Sequence, residues 1–375
     1  MTNIIFESSI KGHVLEYLHN IYMYAIHSED NFVFLLSHSF EESKSNLHWP
    51  KSENVSFHFI TDTEAAKCNQ PSVLKSALER SRCIRKYAKE LKADNVFLIY
   101  LIRTMPFLPF YLPRKTKASG IIYSIPLYKS ELSRGQNIKN KIIYRLFARK
   151  KSISNIFMLN DSRSSVHYND KYGTDKFRYL TDPIPEIDMS QVKDMREELG
   201  ISVGNTVYLQ FGSIGSRKNS LNILRALTLM TPEELKGKTF IFMGRLNPNI
   251  KEEFNKLVSE LSDKVQIIVN EGFVSYEYLN SMCYTVDVIL TIYNNVEMSS
   301  GSIGYAAYFD KTVIGPSAGL LGNLIKDNNL GITIDNITPE NIKQTLLADV
   351  KPQENNYKAT HSVKVFSETI LNSLK

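Results

Sequence analysis

Three short stretches carry the residue types that could hold a diphosphate and a sugar. Gly212-Ser213-Ile214-Gly215-Ser216-Arg217-Lys218-Asn219 is a small-residue loop with two adjacent cations, Gly244-Arg245 adds a third, and Glu297 stands just ahead of Ser299-Ser300-Gly301-Ser302. Phosphate recognition needs fixed donors and cations, and a sugar hydroxyl needs a carboxylate to accept its proton. Taken singly, Arg217-Lys218 reads better as a surface turn, and the serine run reads equally well as the start of an ordinary capped helix. Together they reverse that preference. A hydroxyl-rich helix start leaves amides pointing outward with partial positive charge, and a carboxylate and a cation pair beside it complete what a nucleotide-sugar pocket requires.

The elements that must position these stretches follow from periodicity. Residues 206–211, 239–243 and 286–292 are apolar, β-branched or aromatic runs of strand length, and each empties into one of the three stretches. Helices are predicted over 191–199, 221–230, 250–261, 276–284 and 303–309, with further strands at 265–269 and 311–315. The earlier part of the chain alternates in the same way. Strands are predicted at 4–7, 32–36, 55–60, 96–101, 120–123, 156–159 and 177–180, and helices at 14–25, 71–91, 137–147 and 162–172. Alternation of this kind implies parallel sheets covered by helices, so the expected fold class is α/β, with two Rossmann-like domains facing each other across a cleft. Asp182-Pro183-Ile184-Pro185-Glu186 breaks the pattern, placing the domains at 1–181 and 186–356. Closing helices are predicted at 338–347 and 363–374, and residues from about 357 to 375 are expected to pack back on the first domain. In that domain the first strand runs into Gly12-His13, at the strand end where open α/β sheets bind ligands.

Composition sets the outer bounds. At 375 residues with 43% hydrophobic content, the chain is long enough for two cores. Cys68, Cys83 and Cys283 are odd in number and form no CxxC pair, so neither a disulfide framework nor a metal site is expected, and a reducing compartment fits best. No window approaches a membrane span. The net charge of +6 and pI near 8.9 are modest, but the cations cluster. Arg80, Arg82, Arg85, Lys86, Lys89 and Lys92 crowd one segment. Arg134, Lys139, Lys141, Arg145, Arg149, Lys150 and Lys151 crowd another, interleaved with Ile138, Ile142, Tyr144, Leu146 and Phe147. That second pattern suits a basic amphipathic helix on an anionic membrane surface, and slightly better a solvated face packed on its own domain. No nucleic-acid motif accompanies it.

The chain resembles the retaining GT-B glycosyltransferases, specifically the large family four, over most of the second domain. FGSIGSRKNSLNILRAL matches the family's loop after the first donor-domain strand and aligns Lys218 with the phosphate-binding Lys; IFMGR matches a strand followed by a glycine turn. Glu271-Gly272-Phe273-Val274 matches the G-[FY]-V segment whose main chain meets the base, and Glu297 falls on the first of two family glutamates. Three positions depart from the pattern. Ser213 stands where the family has its phosphate-binding Arg, so Arg217 is expected to substitute. Tyr305 stands where the second glutamate accepts the ribose hydroxyls. No His follows the first-domain strand, leaving Tyr123, Ser124 or Lys129 on the acceptor side with Gly12 and His13.

What the resemblance implies is a metal-independent hexosyltransferase-type enzyme without a cofactor. It would move a sugar, with retention, from a nucleoside diphosphate sugar to a glycan or polyprenyl diphosphate-linked acceptor in bacterial surface polysaccharide or capsule biosynthesis. Lys218, Arg217 and Glu297 would be catalytic. Gly212, Ser213, Gly215, Gly244, Arg245, Phe273, Val274, Ser299, Ser300, Gly301, Ser302 and Tyr305 would bind donor. The expected location is the cytoplasm, with peripheral attachment to the inner face of the cell membrane if the basic segment docks there. The missing glutamate and His keep a second reading open: a GT-B-shaped partner, without activity, of an active transferase.

Overall fold

The computed structural model describes the chain apart from residues 11, 12, 45, 46, 130, 131 and 351–353. It divides into two compact units, Met1–Thr181 with Val363–Lys375, and Asp182–Ser362.

The first unit holds a seven-stranded parallel sheet: β1 (Thr2–Glu7), β2 (Asn31–Ser37), β3 (Val55–Ile60), β4 (Asn95–Leu98), β5 (Lys117–Ile122), β6 (Ile153–Leu159) and β7 (Phe177–Leu180), in the order β3-β2-β1-β4-β5-β6-β7. Strands buried on both faces need continuous apolar runs, and β1 supplies Ile4, Ile5 and Phe6 at 1% exposure or less. The helix Val14–Ala25 covers one face through Val14, Tyr17, Leu18, Ile21, Tyr22 and Ala25, the spacing of a 3.6-residue period. The C-terminal helix Val363–Asn372 packs beside it. Phe366 lies 5.1 Å from the Tyr17 ring, and Ser367 Oγ donates to the Asn20 carbonyl at 2.9 Å.

The second unit holds β8 (Thr206–Phe211), β9 (Lys238–Gly244), β10 (Gln266–Glu271), β11 (Val288–Leu290), β12 (Thr312–Pro316) and β13 (Gly331–Ile334), parallel, in the order β10-β9-β8-β11-β12-β13. In each sheet the chain winds outward from a central pair, β1 and β4 in one unit and β8 and β11 in the other. Connections leave that pair in opposite directions, so a crevice forms at the carboxyl ends there, and this is where α/β sheets bind ligands.

Several expectations are corrected. No helix covers 191–199; a single 3-10 turn, Met189–Gln191, is followed by extended chain and turns. Side chains there take the amides that a helix would use: Ser281 Oγ accepts from Lys193 N at 3.2 Å, Thr285 Oγ1 from Met195 N at 2.8 Å, and Asp194 from Arg196 N at 2.9 Å. The strand predicted over 96–101 stops at Leu98, and Leu101–Thr104 turns as a 3-10 helix. In the basic helix Arg134–Arg149, Tyr144 and Phe147 are buried in their own unit and cannot face a membrane; the exposed apolar residues are Ile138 and Ile142. Arg80 leaves the first basic cluster, for it is buried in an ion pair with Glu7. Among the described residues no helix is long and apolar enough to cross a membrane.

Candidate nucleotide-sugar site

The parallel order β10-β9-β8-β11 brings four loops side by side along one sheet edge in the second unit. Each predicted donor stretch is one of them. The loop after β8 is stitched to the loop after β9: Gly212 N donates to Met243 O at 2.8 Å, Ile214 N to Arg245 O at 2.9 Å, and Asn247 N to Ile214 O at 2.9 Å. Gly244 sits at φ +130°, and a Cβ there would fall 1.9 Å from the Gly212 carbonyl, so only glycine allows the approach. Gly272 N in turn donates to Gly244 O at 3.2 Å, which puts the Phe273-Val274 segment next along the edge. Phe273 is 93% exposed, Val274 half-buried, and Ser213 and Arg245 are exposed.

The loop after β8 is braced from beneath. Ser220 Oγ accepts from Gly215 N at 3.0 Å and donates to Gln210 Oε1 at 2.5 Å, while Gln210 Nε2 donates to the Lys218 carbonyl at 2.8 Å. Asn219 adopts φ +53°, which turns the 3-10 segment Ser216–Lys218 into the helix Ser220–Thr228. Its side-chain amide donates to Ile292 O at 3.1 Å and Asn294 Oδ1 at 2.8 Å; Asn294 returns bonds from its Nδ2 to Ser216 O at 2.9 Å and from its backbone N to Arg217 O at 2.9 Å. The cation loop and the chain leaving β11 are therefore one rigid assembly.

Both predicted cations converge on one ring that sequence reasoning passed over. Lys218 Nζ lies 5.1 Å and the Arg217 guanidinium 5.3 Å from the centre of Tyr293. Tyr293 is 3% exposed, and its hydroxyl bonds Ser302 Oγ at 2.8 Å. Burial pushes its phenol up, but the Lys218 charge and the hydrogen bonds from Ser302, Ser300 and Lys218 outweigh that, so the net shift is downward. Lys218 itself is buried and donates to the Phe211 carbonyl; the ammonium occupies the space a side chain at Gly212 would take, since a Cβ there would lie 2.7 Å from Nζ.

The carboxylate arm follows. Glu297 is half-buried on a loop whose preceding carbonyl, Val296 O, accepts from Leu320 N at 2.7 Å. Gly319, at φ +67°, lets the helix Gly319–Asp327 begin against it. Ser299 Oγ donates to Asp182 at 2.7 Å, and Ser300 caps the helix Gly301–Tyr308 by accepting from Ser302 N at 3.4 Å. The cap thus occupies the Ser302 amide. Tyr305 is 7% exposed with its ring edge-on to Phe211 at 5.6 Å, a packing position. A cavity of about 760 Å³ opens elsewhere in this unit among Asp310, Asp327 and Glu354. It lies at the amino ends of β12 and β13 with acidic walls, the wrong end and the wrong charge for a diphosphate.

On the first unit, Gly12 lies outside the described residues. His13 is exposed and pairs with Glu16 at 3.0 Å. The half-buried Tyr123 ring sits between Tyr17 (6.0 Å) and Tyr100 (4.5 Å), followed by half-buried Ser124, with Lys129 exposed beyond the Pro126–Tyr128 turn.

No family profile matches the sequence, and no curated protein matches it. The fold does have relatives of known structure, the GT-B glycosyltransferases. A glycosyltransferase from Rickettsia africae superposes with a TM-score of 0.70 at 12% identity, covering 100% of this chain and 97% of its own. HepE of Anabaena, solved with UDP and glucose, gives 0.66 at 14% identity, covering 100% and 99%. WaaG, a glycosyltransferase involved in lipopolysaccharide biosynthesis, gives 0.61 at 15%, covering 100% and 94%. The chain therefore has the GT-B fold along its whole length.

Proposed function

We propose that the protein is a glycosyltransferase that takes a sugar from a nucleoside diphosphate sugar and passes it, with retention, to a glycan or lipid-linked saccharide. The observation that carries this reading is the pair Lys218 and Arg217 converging on the ring of buried Tyr293, at 5.1 and 5.3 Å from its centre, at the β8–β11 switch point. Anabaena HepE, of like fold, was solved with UDP and with UDP-glucose, which favours uridine as the base. In the proposed reaction the bond from the sugar's anomeric carbon to the diphosphate oxygen breaks as the acceptor hydroxyl oxygen bonds to that carbon; the hydroxyl proton passes to the departing diphosphate, which the cations hold. Fixed cations are worth most where negative charge develops, so neither a cofactor nor a metal is required in this scheme. Glu297 would orient the donor sugar. A role in bacterial surface polysaccharide assembly, and peripheral attachment to the inner membrane face, belong to the same proposal.

Nucleoside diphosphate release from a panel of UDP- and GDP-sugars, with and without chelator, tests it. Turnover with at least one donor, insensitive to chelator and reduced more than about tenfold by Lys218→Ala, is expected. Turnover lost on chelation would remove the metal-free scheme. The packed Tyr305, in place of a ribose-binding carboxylate, favours one alternative: a non-catalytic partner of an active transferase, which no donor would turn over.

A further inference from the structure

The first unit carries a pair of buried cysteines that the donor reading does not use. On the helix Val73–Glu90, Ser76, Arg80, Cys83 and Tyr87 recur at steps of four, three and four residues, so they form one stripe along the helix. The short helix Asp62–Cys68 lies against that stripe and is attached at two levels. At its end the Cys68 carbonyl accepts from Ser76 Oγ and from Arg80 Nε at 2.9 Å; near its start Glu64 accepts from Tyr87 Oη at 2.8 Å and Lys86 Nζ at 2.8 Å. The two helices therefore run antiparallel, and Cys83 falls between the two levels. Helical side chains lean toward the N-terminus of their own helix, so the Cys68 thiol leaves the level of Arg80 and points toward that of Tyr87. Cys83 stands in that direction.

The two sulfurs meet as hydrogen-bonded thiols. That bond with Cys83, together with the Arg80 charge, draws the Cys68 thiol down against the effect of burial, while the same bond and burial push Cys83 up. Cys68 is thereby the readier thiolate, and the thiolate is the form that attacks. Both residues are 5% exposed or less, but the wall over them is thin, for Cys68 is the one buried residue of its helix. So short a helix, with so little buried, opens locally more readily than the core, and a peroxide is scarcely larger than water.

We propose that Cys68 and Cys83 are a redox pair, closed into a disulfide by a peroxide and reopened by small thiols, that staples the helix Asp62–Cys68 to the helix Val73–Glu90. The Cys68 thiolate attacks one peroxide oxygen and the O–O bond breaks; the leaving hydroxide takes a proton and departs as water, and Cys68 becomes a sulfenic acid. The Cys83 sulfur then bonds to the Cys68 sulfur as the S–O bond breaks, and its proton leaves in the second water. Two electrons pass from the thiols to the peroxide. The test does not depend on what the second unit binds. The full chain is treated with hydrogen peroxide at a dose that leaves its far-UV circular dichroism unchanged, then unfolded and alkylated. One cysteine should take the label instead of three, the intact mass before alkylation should fall by that of two hydrogens, and digestion should yield a peptide pair joining Cys68 to Cys83. Cys283, buried in the second unit, should be the labelled residue, and dithiothreitol should restore all three. Cys283→Ala should cross-link as wild type does, and Cys83→Ser should not. Hydrogen exchange of the amides in 62–69 should slow by at least about tenfold on oxidation of wild type and stay unchanged in treated Cys83→Ser. Three free thiols after treatment, a cross-link through Cys283, or Cys68 recovered as a sulfinic acid beside a reduced Cys83 would overturn the pair. Equal exchange in the reduced and oxidised forms would overturn the staple.

Discussion

Tyr293 governs the behaviour of the cation pair more than any other single residue. Its ring centre lies 5.1 Å from Lys218 Nζ and 5.3 Å from the Arg217 guanidinium, and its hydroxyl is anchored through Ser302, so it helps set where two long, otherwise adaptable side chains rest. Tyr293→Leu should therefore lower kcat/KM by at least about tenfold, whereas Tyr293→Phe, which keeps the ring and loses only the hydroxyl's bonds to Ser302, Ser300 and Lys218, should stay within a few-fold. Equal losses in both variants would mean that the hydroxyl, not the ring, matters. The position of Lys218 beside the other candidate loops was legible in the sequence only because three such loops each follow an apolar run; taken singly, its own loop reads as a surface turn. Tyr293 was not legible, because it continues a run of strand-forming residues and a buried aromatic at such a place is ordinarily core.

At the scale of elements, the carboxyl-edge loops depend on glycines at contact distance. Gly244→Ala would drive a Cβ into the Gly212 carbonyl from a backbone angle that side-chain-bearing residues avoid, and should cost more than about 2 kcal/mol in denaturant unfolding. An unfolding midpoint like that of wild type would show the two loops to be less tightly coupled. The helix Arg134–Arg149 is another matter, since its first turns are exposed with Ile138 and Ile142 at 51% and 63% among Lys139, Lys141 and Arg145. Ile138→Asp with Ile142→Asp should leave stability unchanged and abolish salt-sensitive pelleting with anionic vesicles. Equal pelleting of wild type with neutral vesicles would end the membrane reading. Parallel strands and long amphipathic helices were readable from periodicity, and the boundaries of β3, β7 and β8 were read to the residue. The helix expected at 191–199 failed because its amides bond to Ser281 and Thr285, residues that only the tertiary fold brings near.

Over the whole molecule, acid should act first on the second unit. His361 is buried there with its carbonyl accepting from Ile184 N at 2.8 Å; burial, only partly opposed by a hydrogen bond to the Tyr357 carbonyl, lowers its pKa to about 4. The native state keeps it neutral while the unfolded chain protonates it near 6.5, so its contribution is complete above pH 6.5 and falls as pH drops toward 4, by at most about 3 kcal/mol. Glu64, in the first unit, is lowered to about 2, with burial opposing and Lys86, the Thr61 amide and Tyr87 prevailing; its contribution fades only below pH 4.5. Melting followed from pH 7 to 4 should fall more in wild type than in His361→Phe, and parallel slopes would remove His361 as the cause. The central claim, that a nucleoside diphosphate is held over Lys218 in the second unit, is tested most directly by calorimetric titration of UDP into wild type and Lys218→Ala. Saturable one-to-one binding, weakened at least about tenfold by the substitution, is the predicted result. Absence of binding to UDP at millimolar concentration, or equal affinity in both proteins, would contradict it.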